Sequence, residues 1–315
     1  MNEPISVKPW QSRIVLANLV AQTLIVVTGG LVRLTSSGLG CPTWPECVAG
    51  SITPTSTQTQ AWHKYVEFGN RMLTFVLVVV AVATIAAIFT HNRSRVRNGQ
   101  AKRRDLTLLS VGSMAGIFAQ AILGGITVLT GLNPLTVAAH FLLSIGLITV
   151  AYLLHYKLTQ PEGGPHTTVV HPYIRKALNL HFGLALAVIA LGTLVTGSGP
   201  HAGDSADIKR LGFDPRVISW IHADMVLLFM GLTCGLVVAL FATDAPRVVR
   251  QAGVLVVIVG FSQGLVGYVQ YFTGLPWAVV AFHMFGACLL WISTLALWAK
   301  SSTQGAYTPG SLASE

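Results

Sequence analysis

Three histidines in apolar surroundings are the residues best suited to chemistry in this chain. They are His140 in TVAAHFLL, His222 in SWIHADMVLL and His283 in VVAFHMFG. Neutral imidazole is the commonest side-chain metal ligand, and imidazoles from neighbouring helices are an ordinary way to hold haem iron from both faces. His140 and His283 close two copies of one pattern. Residues 120–140 read QAILGGITVLTGLNPLTVAAH, and residues 263–283 read QGLVGYVQYFTGLPWAVVAFH. Gln120, Gly124, Thr130, Gly131, Leu132, Val137, Ala138 and His140 recur as Gln263, Gly267, Thr273, Gly274, Leu275, Val280, Ala281 and His283, without a gap. Each copy predicts an apolar helix, a Thr-Gly-Leu turn and a second apolar helix with a His one turn inside it.

A second cluster is WHKYVEFGNRML, with His63, Lys64, Glu67, Asn70 and Arg71. Spacings of three and four place His63, Glu67, Asn70 and Arg71 on broadly one side of a helix. Each charge inside a span costs about 2.5–3.5 kcal/mol on insertion scales, so Glu67 needs a partner, a task or both. The plain alternative is a Glu–Arg pair with a snorkelling lysine at the membrane interface. Cys41 and Cys47, in GLGCPTWPEC, have neither the spacing nor the second pair of a zinc ribbon. They are expected to close a small disulfide loop, which either stiffens the segment or exchanges electrons. Cys234 and Cys288 lie in apolar stretches and read as core residues.

These residues are set in a membrane composition. Of 315 residues, 52% are hydrophobic and 10% charged, against about 25% charged in ordinary soluble proteins. Eight stretches are apolar and long enough to span a bilayer, at 13–33, 65–90, 106–130, 137–156, 177–197, 218–241, 249–272 and 279–299. The expected fold class is an all-α membrane protein with eight transmembrane helices in two pseudo-symmetric four-helix bundles. GGLVRLTSSG (29–38) also resembles GTLVTGSG (192–199). The expected organisation is an N-terminal half (1–156), a linker (157–176) and a C-terminal half (177–315). The start MNEPISVKPWQSR lacks the apolar core of a cleaved signal peptide.

The net charge of +9 gathers in alternate connections: Arg93, Arg95, Arg97, Lys102, Arg103 and Arg104 in one, Lys157, Arg175 and Lys176 in another, Arg247 and Arg250 in a third. The positive-inside rule makes that side cytoplasmic, with both termini there. Topology therefore accounts for the basic balance without a nucleic-acid partner. The three histidines are expected at one depth near the opposite, outer side. His91, His155, His166, His171 and His181 fall toward the cytoplasmic side, and His201 lies in the second long outer loop. Arg33, Lys64, Arg71, Lys209, Arg210 and Arg216 lie on the outer half and suit an anionic ligand such as a haem propionate. No Gly-rich phosphate loop, HExxH motif, Ser–His–Asp order or Asp-rich prenyl-transfer motif is present.

Together these features resemble the haem A synthase family, membrane enzymes that oxidise a ring methyl of haem O to a formyl group. The resemblance covers nearly the whole chain and rests most on GGLVRLTSSGLGCPTWPEC and the three histidines. It implies that His222 and His283 ligate the iron of a resident haem b in the C-terminal half. It also implies that the N-terminal half binds the substrate haem O, with His140 on its iron and Glu67, Asn70 and Arg71 beside it. Glu67 matches the family's essential acid. Asn70 stands where the family has a histidine, which leaves the substrate iron five-coordinate or water-ligated. The 198–217 loop lacks a second cysteine pair. The implied setting is a bacterial cytoplasmic membrane, with haem O synthase as the donor of haem O and a separate electron-transfer partner. Two other classes compete: a quinol-linked di-haem b cytochrome, which would need a fourth histidine, and a transporter, which would favour ionisable groups at midplane.

Overall fold

The computed structural model describes residues 6–160, 166–204 and 208–304. Part of the 157–176 linker falls outside them. Eight long helices follow one another: α1 (Pro9–Leu34), α2 (His63–Arg97), α3 (Arg104–Leu129), α4 (Pro134–Thr159), α5 (Pro172–Ser198), α6 (Pro215–Ala242), α7 (Arg247–Phe272) and α8 (Trp277–Lys300). All eight are long and apolar enough to cross a membrane. They overrun the apolar stretches because backbone hydrogen bonding continues into polar flanks that hydropathy does not mark. Four of them begin at proline, whose missing N–H would be unpaired in a first turn anyway. As a consequence His140 and His283 are the seventh residues of α4 and α8, and His222 the eighth of α6, about two turns inside rather than one.

The chain divides into two compact units, Met1–Thr159 with Thr193–Pro215, and Gln160–Gly192 with Arg216–Glu315. In the first, α1 packs on α2 and α4, and α3 packs on α2 and α4, so α1 and α3 face each other diagonally. Leu147 of α4 lies over Gly116 of α3, where any larger side chain would collide with it. The basic end of this unit is tied by Arg103, which pairs with Asp105 at 2.9 Å and donates to the Lys157 carbonyl at 3.1 Å.

At the other end, the segment after α5 folds onto the α1 and α3 termini. Gly38 N–H donates to the Gly203 carbonyl at 2.7 Å, and Leu132, Ala202 and Ile208 form one apolar cluster. Arg33 secures this segment by donating from Nε to the His201 carbonyl (2.8 Å) and from Nη2 to the Thr196 carbonyl (3.0 Å). Residues 193–215 thus belong to the first helices by packing, a feature hydropathy does not reveal.

In the second unit α7 packs on α8. His181 of α5 meets Thr233 of α6 at 2.8 Å and stacks on Phe229. Arg175 lies over the Trp298 ring, 4.4 Å from its centroid, and donates to the Trp298 carbonyl and Ser301 Oγ. A short antiparallel pair, β1 (His166–Thr168) and β2 (Ser302–Gln304), joins the linker to the end of α8. The helical pattern of the sequence gave no sign of it.

The sequence repeat is also a structural one. Gly131 and Leu132 have φ of 60° and 58°, and Gly274 and Leu275 have 76° and 61°. Leu132 N–H closes on the Thr127 carbonyl, and Leu275 N–H on the Gln270 carbonyl. Two successive left-handed residues turn the chain sharply enough to bring α4 back along α3, and α8 back along α7. A left-handed conformation costs a non-glycine residue about 1–2 kcal/mol, and at Leu132 burial in the apolar cluster offsets it. Gly131→Ala and Gly274→Ala should each destabilise the folded protein by about 1–2 kcal/mol. Thermal unfolding in detergent, with one variant at a time, checks this.

Candidate functional site

The acidic cluster on α2 is organised by the disulfide loop. Cys41 and Cys47 are bonded, with Cα atoms 4.3 Å apart. Glu67, 5% exposed, accepts the Cys41 N–H at Oε2 (2.6 Å). Its Oε1 accepts from Arg71 Nη2 (2.6 Å) and Nε (3.2 Å). The same guanidinium donates to three carbonyls of the loop, Cys41 (2.7 Å), Thr43 (3.0 Å) and Glu46 (3.2 Å). Gly40 lies against the backbone of His63 and Lys64 where no side chain fits, and Trp44 lies flat over Gly125 of α3. A carboxylate inside the span is therefore matched by one charged and one backbone donor.

The cations expected to face an anionic ligand are largely engaged elsewhere. Lys64 Nζ donates to the Thr55 carbonyl at 2.7 Å and the Gln58 carbonyl at 3.3 Å, and Arg210 donates to the Gly199 and Pro200 carbonyls. Arg33 and Arg71 hold the loop segments just described. In the structure these side chains anchor loops, because a loop crossing the end of a bundle brings many carbonyls that need donors. His63 is held too, with Nδ1 2.9 Å from Ser37 Oγ and its ring stacked on Trp62.

The histidines share one local arrangement. A Cβ placed on Gly124 would stand 3.3 Å from His140 Cε1; on Gly192, 3.4 Å from His222 Cε1; on Gly267, 3.6 Å from His283 Cε1. Each imidazole thus lies against bare backbone of the preceding helix. The fourth helix pair follows the same rule: a Cβ on Gly29 would stand 3.8 Å from Asn70 Nδ2. Asn70 of α2 therefore occupies in its pair the place that His222 of α6 occupies in its own. No glycine signal was read in this way from the sequence, although Gly124 and Gly267 recur in the repeat and Gly29 aligns with Gly192.

Nδ1 of His140, His222 and His283, and Oδ1 of Asn70, are buried without a hydrogen-bond partner. Buried polar atoms left unpaired are uncommon and call for a ligand or water. His222 of α6 and His283 of α8 belong to the second unit. Within the first, Gln120 Nε2 donates to the His140 carbonyl (3.1 Å) and to Ser144 Oγ (2.6 Å), which fixes the helix turn below His140. The donor set is thus two imidazoles in one unit, and one imidazole with an amide in the other. The two imidazoles of the second unit suit haem iron, and in the first unit His140 does so alone, because a neutral amide is a poor ligand for iron.

Eight helices long and apolar enough to cross a membrane, paired so that three of the four pairs set an imidazole against glycine and the fourth an amide, define a multi-pass membrane protein of the haem-binding kind. The family model for COX15-CtaA, cytochrome oxidase assembly protein, matches residues 12–295, and the chain belongs to this family. Among curated relatives it is 30% identical over 141 residues to "Heme A synthase" of Geobacillus thermodenitrificans, covering 43% of this chain and 39% of that one. It is 29% identical over 184 residues to "Heme A synthase" of Lysinibacillus sphaericus (strain C3-41), covering 58% and 54%. A third relative of that name, from Listeria monocytogenes serotype 4a (strain HCC23), is 32% identical over 120 residues, covering 38% and 35%. The chain thus spans between about a third and about half of the length of these relatives.

Removing Arg71 leaves the Glu67 carboxylate uncompensated, which costs about 3–5 kcal/mol when buried, whereas Arg71 without Glu67 keeps three loop carbonyls as partners. Arg71→Met should therefore sharply lower the yield of folded protein. The double variant Glu67→Gln with Arg71→Met should recover part of it, because neither charge remains. Size-exclusion yield and unfolding temperature of the three variants test this; equal behaviour of single and double variants would contradict the pairing.

Proposed function

We propose that this protein is a haem A synthase, an oxidoreductase that converts a ring methyl of haem O to a formyl group. The observation that carries the reading is the set of three half-buried imidazoles, each lying against glycine and each with a buried Nδ1 that has no hydrogen-bond partner. Membership of the family and the names of the matched relatives support it. The division of labour follows the repeat. The C-terminal half, 177–315, holds a resident haem b through His222 and His283. The N-terminal half, 1–156, holds haem O with His140 on the iron and Asn70 on the opposite side. Residues 157–176 join the halves. Both termini face the cytoplasm of a bacterium whose cytoplasmic membrane houses the enzyme, and haem O synthase is the natural donor of haem O.

When bound, the resident haem supplies one-electron transfer. The remaining functions belong to the chain. His140, steadied from below by Gln120, would hold and orient the substrate ring, while Asn70, an amide and so a poor ligand for iron, would leave the iron five-coordinate or water-ligated. Glu67 stands one helical turn from Asn70 toward the disulfide loop. Arg71 and the Cys41 N–H hold its carboxylate in one place, so it can accept or return a proton at a fixed point beside the substrate. Arg71 also tethers the loop that covers this end of the helices. General acid–base groups of this kind contribute about 10²–10⁴-fold.

Three measurements test the reading. His222→Ala and His283→Ala should each abolish the low-spin haem b spectrum of the purified protein; survival of that spectrum in both would refute the ligand assignment. Pigment extracted from the wild-type protein should contain haem B with haem O or haem A; haem B alone would fit a cytochrome. Glu67→Gln should fold, keep haem b, and accumulate haem O or a hydroxylated intermediate. Normal haem A output at normal protein level would remove Glu67 from the chemistry.

A further inference from the structure

The core of the first unit contains a line of polar side chains that the reading above does not use. On α1, Gln11, Asn18 and Gln22 are 2%, 0% and 3% exposed, and their spacing puts them on one inward face that ends at Gly29. On α3, the diagonal partner, Ser110, Ser113, Gln120 and Gly124 fall on one face by the same spacing, with Ser110 and Ser113 fully buried. The two faces meet where Asn18 Nδ2 donates to Ser113 Oγ at 3.2 Å. From that contact the helices run in the same direction, so Gln120 is level with the turn of α1 between Gln22 and Gly29. Thr84 of α2 is also fully buried, and its hydroxyl donates to the Val80 carbonyl at 2.8 Å.

Along this line the polar atoms are incompletely paired. Asn18 Oδ1, Gln22 Nε2, Gln120 Oε1, Asn70 Oδ1 and His140 Nδ1 are all buried without a partner. Asn18 Oδ1 is an acceptor and Gln22 Nε2 a donor, four residues and about 6 Å apart along one helix. Two hydrogen bonds through one water oxygen span about that distance. Ser113 accepts from Asn18 and keeps its own O–H to donate, so the group offers a water three partners, the usual number for a buried one. From Gln120 the rise to Gly124, and hence to His140, is about another 6 Å.

The second half of the molecule provides an internal control. At the repeat-equivalent positions, Gln11, Asn18, Gln22, Ser110 and Ser113 become Ile174, His181, Ala185, Gly253 and Val256, while Gln120 is kept as Gln263. The same helical scaffold is therefore built without the line. Buried polar groups in a span are costly, so the first half keeps them for something other than folding.

We infer that the centre of the first unit holds a file of bound water, seated on Asn18, Gln22, Ser113 and Gln120. It relays protons between the level of Asn18 and that of His140 and Asn70. The existence of the file is independent of the proposed function; its purpose, supplying protons to the oxidation of the substrate methyl, rests on that function. Glu67 then holds protons on one side of the substrate and the file delivers them from the other.

Radiolytic footprinting of the purified holoprotein in H₂¹⁸O tests the water directly. Ile117 lies between Ser113 and Gln120 on the same face of α3, and with Met114 it packs against Ala21 and Ile25 of α1 on either side of Gln22, so both should take up ¹⁸O at a rate typical of residues beside ordered water, although Ile117 is buried. Asn18→Leu with Gln22→Leu should abolish that uptake while unfolding at the same or a higher temperature, because buried polar atoms without a protein partner are then replaced by apolar groups. The same variant should keep its haem b spectrum and lose haem A formation at least tenfold, with partial recovery in Asn18→Gln. Absence of ¹⁸O label at Met114 and Ile117 in the wild type would overturn the file. Loss of label with unchanged haem A formation would overturn the proton route, as would a fall in unfolding temperature that accounts for the lost activity. A wild-type protein that shows the label but forms no haem A removes the consumer of the protons: the supply role and the proposed function then fail together, and the water site stands.

Discussion

A charged or polar group within a membrane span must find its partners inside the protein, because lipid offers none. Glu67 meets this constraint most visibly. Its two oxygens take a backbone N–H from the disulfide loop and a guanidinium from its own helix. That guanidinium in turn takes three loop carbonyls. Loop, carboxylate and helix end consequently hold one another, and the cysteine bridge limits how far the loop can move from the carboxylate it caps. Positioning an acid at the end of a bundle and closing that end are achieved by the same contacts.

The same constraint gives the three half-buried histidines their meaning. An imidazole lying against glycine has bare backbone on one side and a buried nitrogen without a hydrogen-bond partner. Repetition of this arrangement in three helix pairs, and of its steric half at Gly29 and Asn70, argues for a common design in which each pair presents one group to a shared kind of ligand. The halves then diverged. One retained two imidazoles. The other exchanged an imidazole for an amide and carries a polar line through its core. A duplicated scaffold can specialise in this way because helix packing depends on the small and apolar positions, leaving the inward polar positions free to change.

Much of this was legible in the sequence, and for identifiable reasons. Eight apolar stretches give eight helices because no other open structure satisfies its backbone in lipid. The Thr-Gly-Leu turns were visible as a repeat because a turn with two left-handed residues leaves few choices of side chain. The Cys41–Cys47 bridge followed from spacing and isolation, and the pairing of Glu67 with Arg71 from the four-residue interval on a helix. Helix ends were less legible: α2 continues to Arg97, seven residues beyond its apolar stretch, since hydropathy marks the lipid and not the hydrogen bonds.

What the tertiary structure alone decided lies in contacts between residues distant in the chain. Arg33, Lys64 and Arg71 were legible as cations at the end of the bundle, but not as anchors for loop carbonyls, because carbonyls carry no sequence signature. Asn18 and Ser113 are 95 residues apart and each unremarkable alone; only the diagonal meeting of α1 and α3 makes them part of one line. The equivalence of Asn70 with His222 likewise depended on seeing which glycine each side chain faces. Composition and periodicity determine that the chain enters the membrane as paired helices. Which polar groups then meet inside is set by the register of helix against helix, a quantity fixed by packing and not written in any single segment.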